Sequence, residues 1–374
     1  MSRFVFVADK TGQVAAFRWT MTERLEWLGF SAASIGKETA TVVHPTLPCA
    51  FVARVNDETG TVVRLAFGLD GRLARTEIAQ TNHPLLGVVM HPSGRYLYAW
   101  AGYSDPDILG TVPPALNNDA YRWELRSNQT IKQLTNTKAG VLRNIQITDL
   151  SSLLSVFDPT GNFLFIYQSY STAEYTSREM NVLRVLSDGR FAETSTYYKT
   201  LFLGSPPAPG QDFGPPIFDG AGRWAFMTGT GHRVVVRHYS GAGRIGKPAQ
   251  TPYLPGQQKT DTYRSGWVTG VSPDGRLLYC ADRNPVNEGR KAARLYAISS
   301  TGHITGPLQS LLNIELVPDP NGKWAYAMDT SDEPRLRVFA VNGARHSVRE
   351  IQHLPLPPGM GNGTIFTVAA RTQK

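Results

Sequence analysis

The sequence predicts an all-β protein with the architecture of a seven-bladed β-propeller, in which each blade is a four-stranded antiparallel sheet. Three observations lead to this prediction: a turn motif recurs along most of the 374 residues, short apolar runs flank each copy, and a lone apolar run lies near the C-terminus. A motif that repeats in this way is typical of proteins in which each copy is one supersecondary unit stacked on its neighbours. We expect a single domain over residues 1–374.

The turn motif combines a tight turn with a Gly that lies just before the next apolar run. Its five clear copies are His91–Gly94, Asp158–Gly161, Asp219–Gly222, Ser272–Gly275 and Asp319–Gly322, and a weaker copy begins at His44-Pro45. Proline fixes φ and glycine tolerates a positive φ, which tight turns require. The flanking runs are rich in β-branched and aromatic residues, as buried strands are. Each copy therefore predicts the hairpin between the first two strands of a blade.

A third run follows each hairpin and alternates between apolar and polar residues, as in Thr61–Phe67 and Arg335–Val341. Polar turns such as Asp188-Gly189 then predict a further hairpin to the outer strand of the blade.

The two ends of the chain are predicted to complete one blade together. Phe4–Ala8 is a second strand without a first, and Gly363–Ala370 can supply the missing strand. Pairing the N- and C-terminal strands in this way leaves only short, protected sheet edges. A protein with two β-sandwich domains is the alternative that stays open.

Composition narrows the classes of function. The net charge is +8, but Lys and Arg are scattered, and no basic run indicates a nucleic-acid-binding motif. No stretch approaches the roughly 18 consecutive apolar residues of a membrane span. Met1-Ser2-Arg3 leads directly into Phe4–Ala8 without the pattern of a signal peptide, so we expect a chain that is either cytoplasmic or already trimmed. Cys49 and Cys280 fall on second strands of separate blades, where we expect small core residues rather than a disulfide. We expect a cytoplasmic monomer whose partner is a small anionic ligand or a protein.

Ligand sites in propellers form on loops that rigid strands hold in place. The loops that lead into first strands and those that join second to third strands are expected at one face. The candidate substrate-binding residues on these loops are Asn82, Tyr103, Asp105, Tyr170, Glu174, His232 and Asp282. Any solvated surface carries such residue types, so the alternative of a face without a site stays open.

Two of these loops are longer than a blade requires. Asp105–Asn118 is rich in Pro, and Ser169–Met180 is rich in Tyr, Ser and Glu. Long insertions in a compact domain are often lids or binding loops, so either could cover the mouth of the site. The eight His residues occur at no zinc-ligand spacing, and no Gly-rich phosphate loop is present. We therefore expect neither a metal nor a cofactor.

The segments Ser272–Tyr279, His91–Tyr98 and Asp282–Asn284 resemble the lactonase-type seven-bladed propellers with YVTN-like repeats. That family includes the propeller form of 6-phosphogluconolactonase and a carboxy-muconate lactonizing enzyme. The resemblance implies that Arg283, which follows Ala281-Asp282 where the family has Ser-Asn-Arg, holds the substrate carboxylate or phosphate. It also implies that His83 is the candidate general acid or base. These two residues are the candidate catalytic set.

The chain departs from the family at three other positions. Asp149-Leu150 stands where the family has a His, Pro216-Ile217 where it has Arg-His, and Thr228-Gly229-Thr230 where a Glu is expected. Two hypotheses follow. The first is an enzyme of carbohydrate metabolism that hydrolyses or forms a lactone of an anionic sugar acid or dicarboxylate without a metal. The second is a non-catalytic propeller that binds a protein or small ligand on its loop-decorated face.

Overall fold

The computed structural model forms two compact units, Met1–Gly204 with Phe366–Lys374, and Ser205–Ile365. The residues that the structure describes are 3–9, 13–30, 38–55, 59–68, 72–82, 85–101, 120–126, 131–137, 154–171, 175–203, 215–229, 233–250, 266–284, 290–312, 314–329, 334–357, 360 and 364–369. No helix among them is long and apolar enough to cross a membrane.

The first unit contains the strands of blades 1 to 4. These strands are β1 Arg3–Ala8, β2 Val14–Trp19, β3 Leu25–Phe30, β4 Glu38–Val43, β5 Cys49–Val55, β6 Gly60–Phe67, β7 Leu73–Thr81, β8 Leu85–Met90, β9 Tyr96–Ala101, β10 Ala120–Leu125, β11 Ile131–Thr137, β12 Leu154–Phe157, β13 Phe163–Ser171, β14 Tyr175–Val185 and β15 Phe191–Leu203. Strands β4–β7 form blade 2, β8–β11 form blade 3 and β12–β15 form blade 4, each in chain order.

The second unit contains blades 5 to 7. Its strands are β16 Ile217–Phe218, β17 Trp224–Gly229, β18 Arg233–Tyr239, β19 Ile245–Gln250, β20 Gly266–Val271, β21 Leu277–Asn284, β22 Arg290–Ile298, β23 Ile304–Leu312, β24 Val317–Pro318, β25 Trp324–Asp329, β26 Arg335–Asn342 and β27 Ser347–Pro355. The last strand, β28 Thr364–Ala369, lies mostly in the first unit and belongs to blade 1. Strands β16–β19 form blade 5, β20–β23 form blade 6 and β24–β27 form blade 7.

Blade 1 joins the two ends of the chain, with the strand order β28-β1-β2-β3. The C-terminal strand lies beside Arg3–Ala8, as predicted. Seven four-stranded antiparallel sheets with this closure are the strand organisation of a seven-bladed β-propeller, so the predicted fold class is confirmed.

Apolar side chains fill the space between consecutive sheets of each unit. Between blades 1 and 2, Phe6 packs with Val52 and Phe67, and the two phenylalanine rings lie 4.0 Å apart. Between blades 6 and 7, Tyr279 and Phe339 belong to one buried cluster. Central strands covered on both faces explain the consecutive apolar residues of the sequence. Cys49 and Cys280 are buried and form no disulfide with each other.

The turn motif forms the predicted hairpin in every clear copy. In the copy that joins β12 to β13, the amide of Gly161 donates to the carbonyl of Asp158 at 3.0 Å, and Gly161 has φ +75°. The carboxylate of Asp158 is fully buried and accepts from the amide of Phe163 at 2.9 Å. Asp219 and Asp319, which open two other copies, are also buried and accept from backbone amides. These carboxylates stabilise turns.

Two histidines of the turn motif bind the next turn along the chain. Nε2 of His44 lies 2.9 Å from the carbonyl oxygen of Gly94. Because Nδ1 of His44 accepts from the amides of Thr46 and Leu47, Nε2 carries the proton and donates. Nε2 of His91 lies at the same distance, 2.9 Å, from the carbonyl oxygen of Gly161. A turn of one blade is thereby fastened to the turn of the following blade.

We expect Gly94→Ala to destabilise the fold strongly. Gly94 has φ +73°, and an added Cβ would lie 2.4 Å from Cε1 of His44. The left-handed backbone costs about 1–2 kcal/mol without glycine, and the steric overlap adds about 1–3 kcal/mol. Gly241→Ala is the matched control, because Gly241 has φ +71° but no atom within 4 Å of an added Cβ. The free energy of unfolding in urea should be measured for both variants. An equal decrease in the two would contradict the role of the close contact with His44.

Stability should fall as the pH drops below the ordinary pKa of histidine. Burial lowers the pKa of His44 and His91, against smaller opposing effects of their backbone hydrogen bonds. The unfolded chain therefore binds protons more readily, and the contribution of the neutral imidazoles is full above about pH 6.5 and is lost on acidification. The free energy of unfolding in urea, measured at several pH values between 7.5 and 5.5, gives this pH dependence. In the double variant H44Q/H91Q, the free energy of unfolding should depend less steeply on pH. An unchanged pH dependence would contradict the assignment of this effect to His44 and His91.

Candidate functional site

The predicted site residues that the structure describes lie at the ends of the sheets opposite the turn motif. These residues are Asn82, Tyr170, Asp282 and Arg283. In blade 3, Leu85 at the start of β8 is paired with Ala101 at the end of β9. In blade 6, Gly266 at the start of β20 is paired with Asp282 near the end of β21. Since the turn motif joins the other ends of these strand pairs, the site candidates and the motif occupy opposite ends of each blade.

Asp282 and Arg283 lie in a strand rather than in the loop that the sequence analysis predicts. β21 continues to Asn284, and Asp282 is paired with Ala292, Arg283 with Lys291 and Asn284 with Arg290 on β22. The ladder continues past the buried residues because β22 begins early enough to offer backbone partners. Arg283 is therefore fixed by backbone pairing.

Buried hydrogen bonds hold the start of blade 6. The amide of Val268 on β20 donates to the hydroxyl of Thr228 on β17 at 3.0 Å, and both residues are buried. Thr269 Oγ1 donates to the carbonyl of Leu316, which precedes β24, at 3.2 Å. A buried amide left without an acceptor is costly, so these contacts fix β20 against its neighbours. Because β20 pairs with β21, they also position the strand that carries Arg283.

Asn82 is exposed and follows β7 directly. The preceding Thr81 is buried, and its hydroxyl donates to the carbonyl of Gly60 at 3.1 Å, which anchors the chain just before Asn82. His83, Tyr103 and Asp105 lie outside the described residues. So does the whole predicted insertion Asp105–Asn118.

The predicted long loop Ser169–Met180 is mostly strand. β13 and β14 extend until Ser171 is paired with Thr176, and Tyr170 is paired with Ser177. The polar Ser, Thr and Tyr residues indicate a loop by composition, yet Thr and Tyr favour strands when a partner strand is available. Tyr170 is thus a strand residue, while Glu174 and His232 lie outside the described residues.

The sequence pattern does not identify Arg122, a buried cationic residue of blade 3. Arg122 is a residue of β10, and 5% of it is exposed to solvent. The available signal is its position between Tyr121 and Trp123, inside a short aromatic run. Whether such a residue is buried depends on the adjacent sheet. Among the residues that the structure describes, no cluster of three or more His, Cys, Asp or Glu could hold a metal ion.

Comparison with known proteins gives similarity at the level of fold. No protein-family model and no curated protein matches the sequence. A candidate 6-phosphogluconolactonase from Bacteroides uniformis is 16% identical with a TM-score of 0.67, covering 98% of this chain and 99% of its own. The periplasmic gluconolactonase PpgL of Pseudomonas aeruginosa is 18% identical with a TM-score of 0.62, covering 99% and 100%. The chain therefore shares, over nearly its whole length, the fold of these lactonase-type propellers.

Proposed function

We propose that this protein is a lactonase-like enzyme that hydrolyses or forms a lactone of an anionic sugar acid or dicarboxylate. The fold that it shares with a gluconolactonase and a candidate 6-phosphogluconolactonase supports this proposal. A shared fold does not by itself imply a shared function, so the site residues must supply the chemistry. The tripeptide Ala281-Asp282-Arg283 resembles the Ser-Asn-Arg tripeptide of the family. This resemblance is the sequence feature that supports the proposed activity.

The observation that carries the proposal is the basic end of the hairpin β21–β22. Arg283 and Lys291 occupy directly opposed positions, and the next pair joins Asn284 to Arg290. Like charges at opposed positions of a sheet destabilise it. An anionic ligand bound there would offset the repulsion, and a guanidinium binds a carboxylate or phosphate through two parallel hydrogen bonds. We assign Arg283 the role of holding the anionic group of the substrate.

Lactone hydrolysis adds water to the ester carbonyl carbon and breaks the bond between that carbon and the ring oxygen. A general base takes a proton from the attacking water, and a proton must reach the departing alkoxide. An anion-stabilising donor must also face the carbonyl oxygen, which becomes negative in the transition state. We propose His83 for the proton transfer. The residues proposed to contact the substrate remain Asn82, Tyr103, Asp105, Tyr170, Glu174, His232 and Asp282.

A non-catalytic binding protein is the second candidate function. It is favoured by the three positions at which the chain lacks the expected His, Arg-His and Glu of the family, near Asp149, Pro216 and Thr228. Such a propeller would keep the basic end of the β21–β22 hairpin. It would bind an anionic ligand or a protein there without catalysing a reaction. The cytoplasmic location and the monomeric state also remain proposals, and one structural neighbour is periplasmic.

A panel of sugar lactones tests the proposed activity, and Arg283→Ala tests the site. Loss of a charge-assisted hydrogen bond costs about 1.5–3 kcal/mol, which corresponds to a rise in KM of about tenfold to a hundredfold for an anionic lactone. Arg276→Ala is the matched control, because Arg276 is exposed and lies just before the opposite end of the same strand. Initial rates and thermal melting should be measured together for each variant.

The results separate the two functions. The lactonase is supported if Arg283→Ala lowers lactone turnover and Arg276→Ala does not. Both variants must also melt at the temperature of the wild type. Turnover of an anionic lactone that is undiminished in Arg283→Ala would refute the role of Arg283. No turnover of any lactone, with binding of the hydrolysed acids retained in calorimetry, would favour the binding protein.

A further inference from the structure

Blade 3 buries the side chain of a cationic residue, Arg122. Arg122 lies in the middle of β10, opposite Tyr98 on β9 and Leu134 on β11. The residue is 5% exposed. Among the residues that the structure describes, none accepts a hydrogen bond from its Nε or Nη1. Buried donors without acceptors are unfavourable, and a buried charge without a partner more so.

The surroundings of Arg122 are set by a turn of blade 4. Tyr96 Oη donates to the carbonyl of Ser187 at 3.1 Å, and Tyr98 Oη donates to the carbonyl of Gly189 at 2.9 Å. Both bonds tether the turn between β14 and β15 to blade 3. The approach is close, since a Cβ on Gly189 would lie 2.7 Å from the ring of Tyr96. Arg122 interacts electrostatically with both tyrosines and with this turn.

The carboxylate of that turn is engaged with another cation. Asp188 Oδ2 accepts from Nε of Arg190 at 2.6 Å, and Oδ1 accepts from the amide of Arg190 at 3.0 Å. Asp188 and Arg190 thus neutralise each other, and the positive charge of Arg122 remains. Burial is also the main cause of a lowered pKa of Arg122. The side chains of Asp188 and Arg190 are 48% and 65% exposed, so this side of the cluster faces solvent.

We propose that Arg122 anchors a binding site for a small oxyanion, a phosphate or a carboxylate, at the seam between β10 and the turn Leu186–Arg190. The ligand accepts hydrogen bonds from Nε and Nη2 of Arg122, which lie on one edge of the planar guanidinium and match two oxygens of one oxyanion. The same two atoms of Arg95 donate to the carboxylate of Glu124. None of the residues proposed for lactone chemistry takes part, so the site stands independently of the proposed function.

Thermal unfolding of the full chain at constant ionic strength tests the site. Phosphate or acetate should raise the Tm of the wild type above its value in chloride, by about 2–5 °C once the anion is far above its Kd. Arg122→Met should melt no lower than the wild type in chloride, because an apolar side chain then replaces an unpaired buried charge. It should also lose the response to the oxyanion. Arg126→Met, at an exposed position just after β10, should respond like the wild type.

The preference between phosphate and acetate identifies which oxyanion the site takes. A wild type that melts at the same temperature in all three salts would overturn the proposal, and so would an oxyanion response that persists in Arg122→Met. If Arg122→Met does not fold, Arg122→Lys provides the test, because it keeps the charge and loses the planar pair of donors. Calorimetric titration of phosphate into folded wild type and Arg122→Lys should then show binding weakened at least tenfold, and equal affinities would overturn the proposal.

Discussion

The close approach of consecutive turns is the constraint on which the rest of this fold depends. Gly94 and Gly161 adopt a positive φ and leave room for the imidazoles of His44 and His91, whose Nε2 atoms donate to the glycine carbonyls. A side chain at either glycine would push adjacent turns apart. The faces of neighbouring sheets would then separate, and the apolar contacts between blades are what stabilises them.

This constraint divides each blade into an end that maintains the fold and an end that is available for function. The turn-motif end buries its polar groups in turn hydrogen bonds, as Asp158 and Asp219 show. The opposite end carries Arg283 and Asn82. Backbone ladders and contacts such as the hydrogen bond between Val268 and Thr228 hold the strands at that end.

Unbalanced positive charge is found at two places among the described residues. At the end of blade 6, Arg283 and Lys291 are opposed in the strand register. In the seam of blades 3 and 4, Arg122 is buried while Arg190 takes the nearby carboxylate of Asp188. Like charges at opposed strand positions and a buried charge are each unfavourable by themselves, which is the physical ground for proposing an anion at each place.

The sequence by itself determined the number of blades, their hairpins and the pairing of Phe4–Ala8 with the C-terminal strand, because glycine, proline and apolar runs act locally. It could not decide that β21 extends to Asn284 or that Ser169–Met180 is mostly strand, since polar residues join a ladder only where a partner strand supplies hydrogen bonds. Nor could it separate the buried Arg122 from the exposed Arg126. Burial is decided by the structure that packs over a residue, and for Arg122 the turn Leu186–Arg190 of the next blade contributes to it.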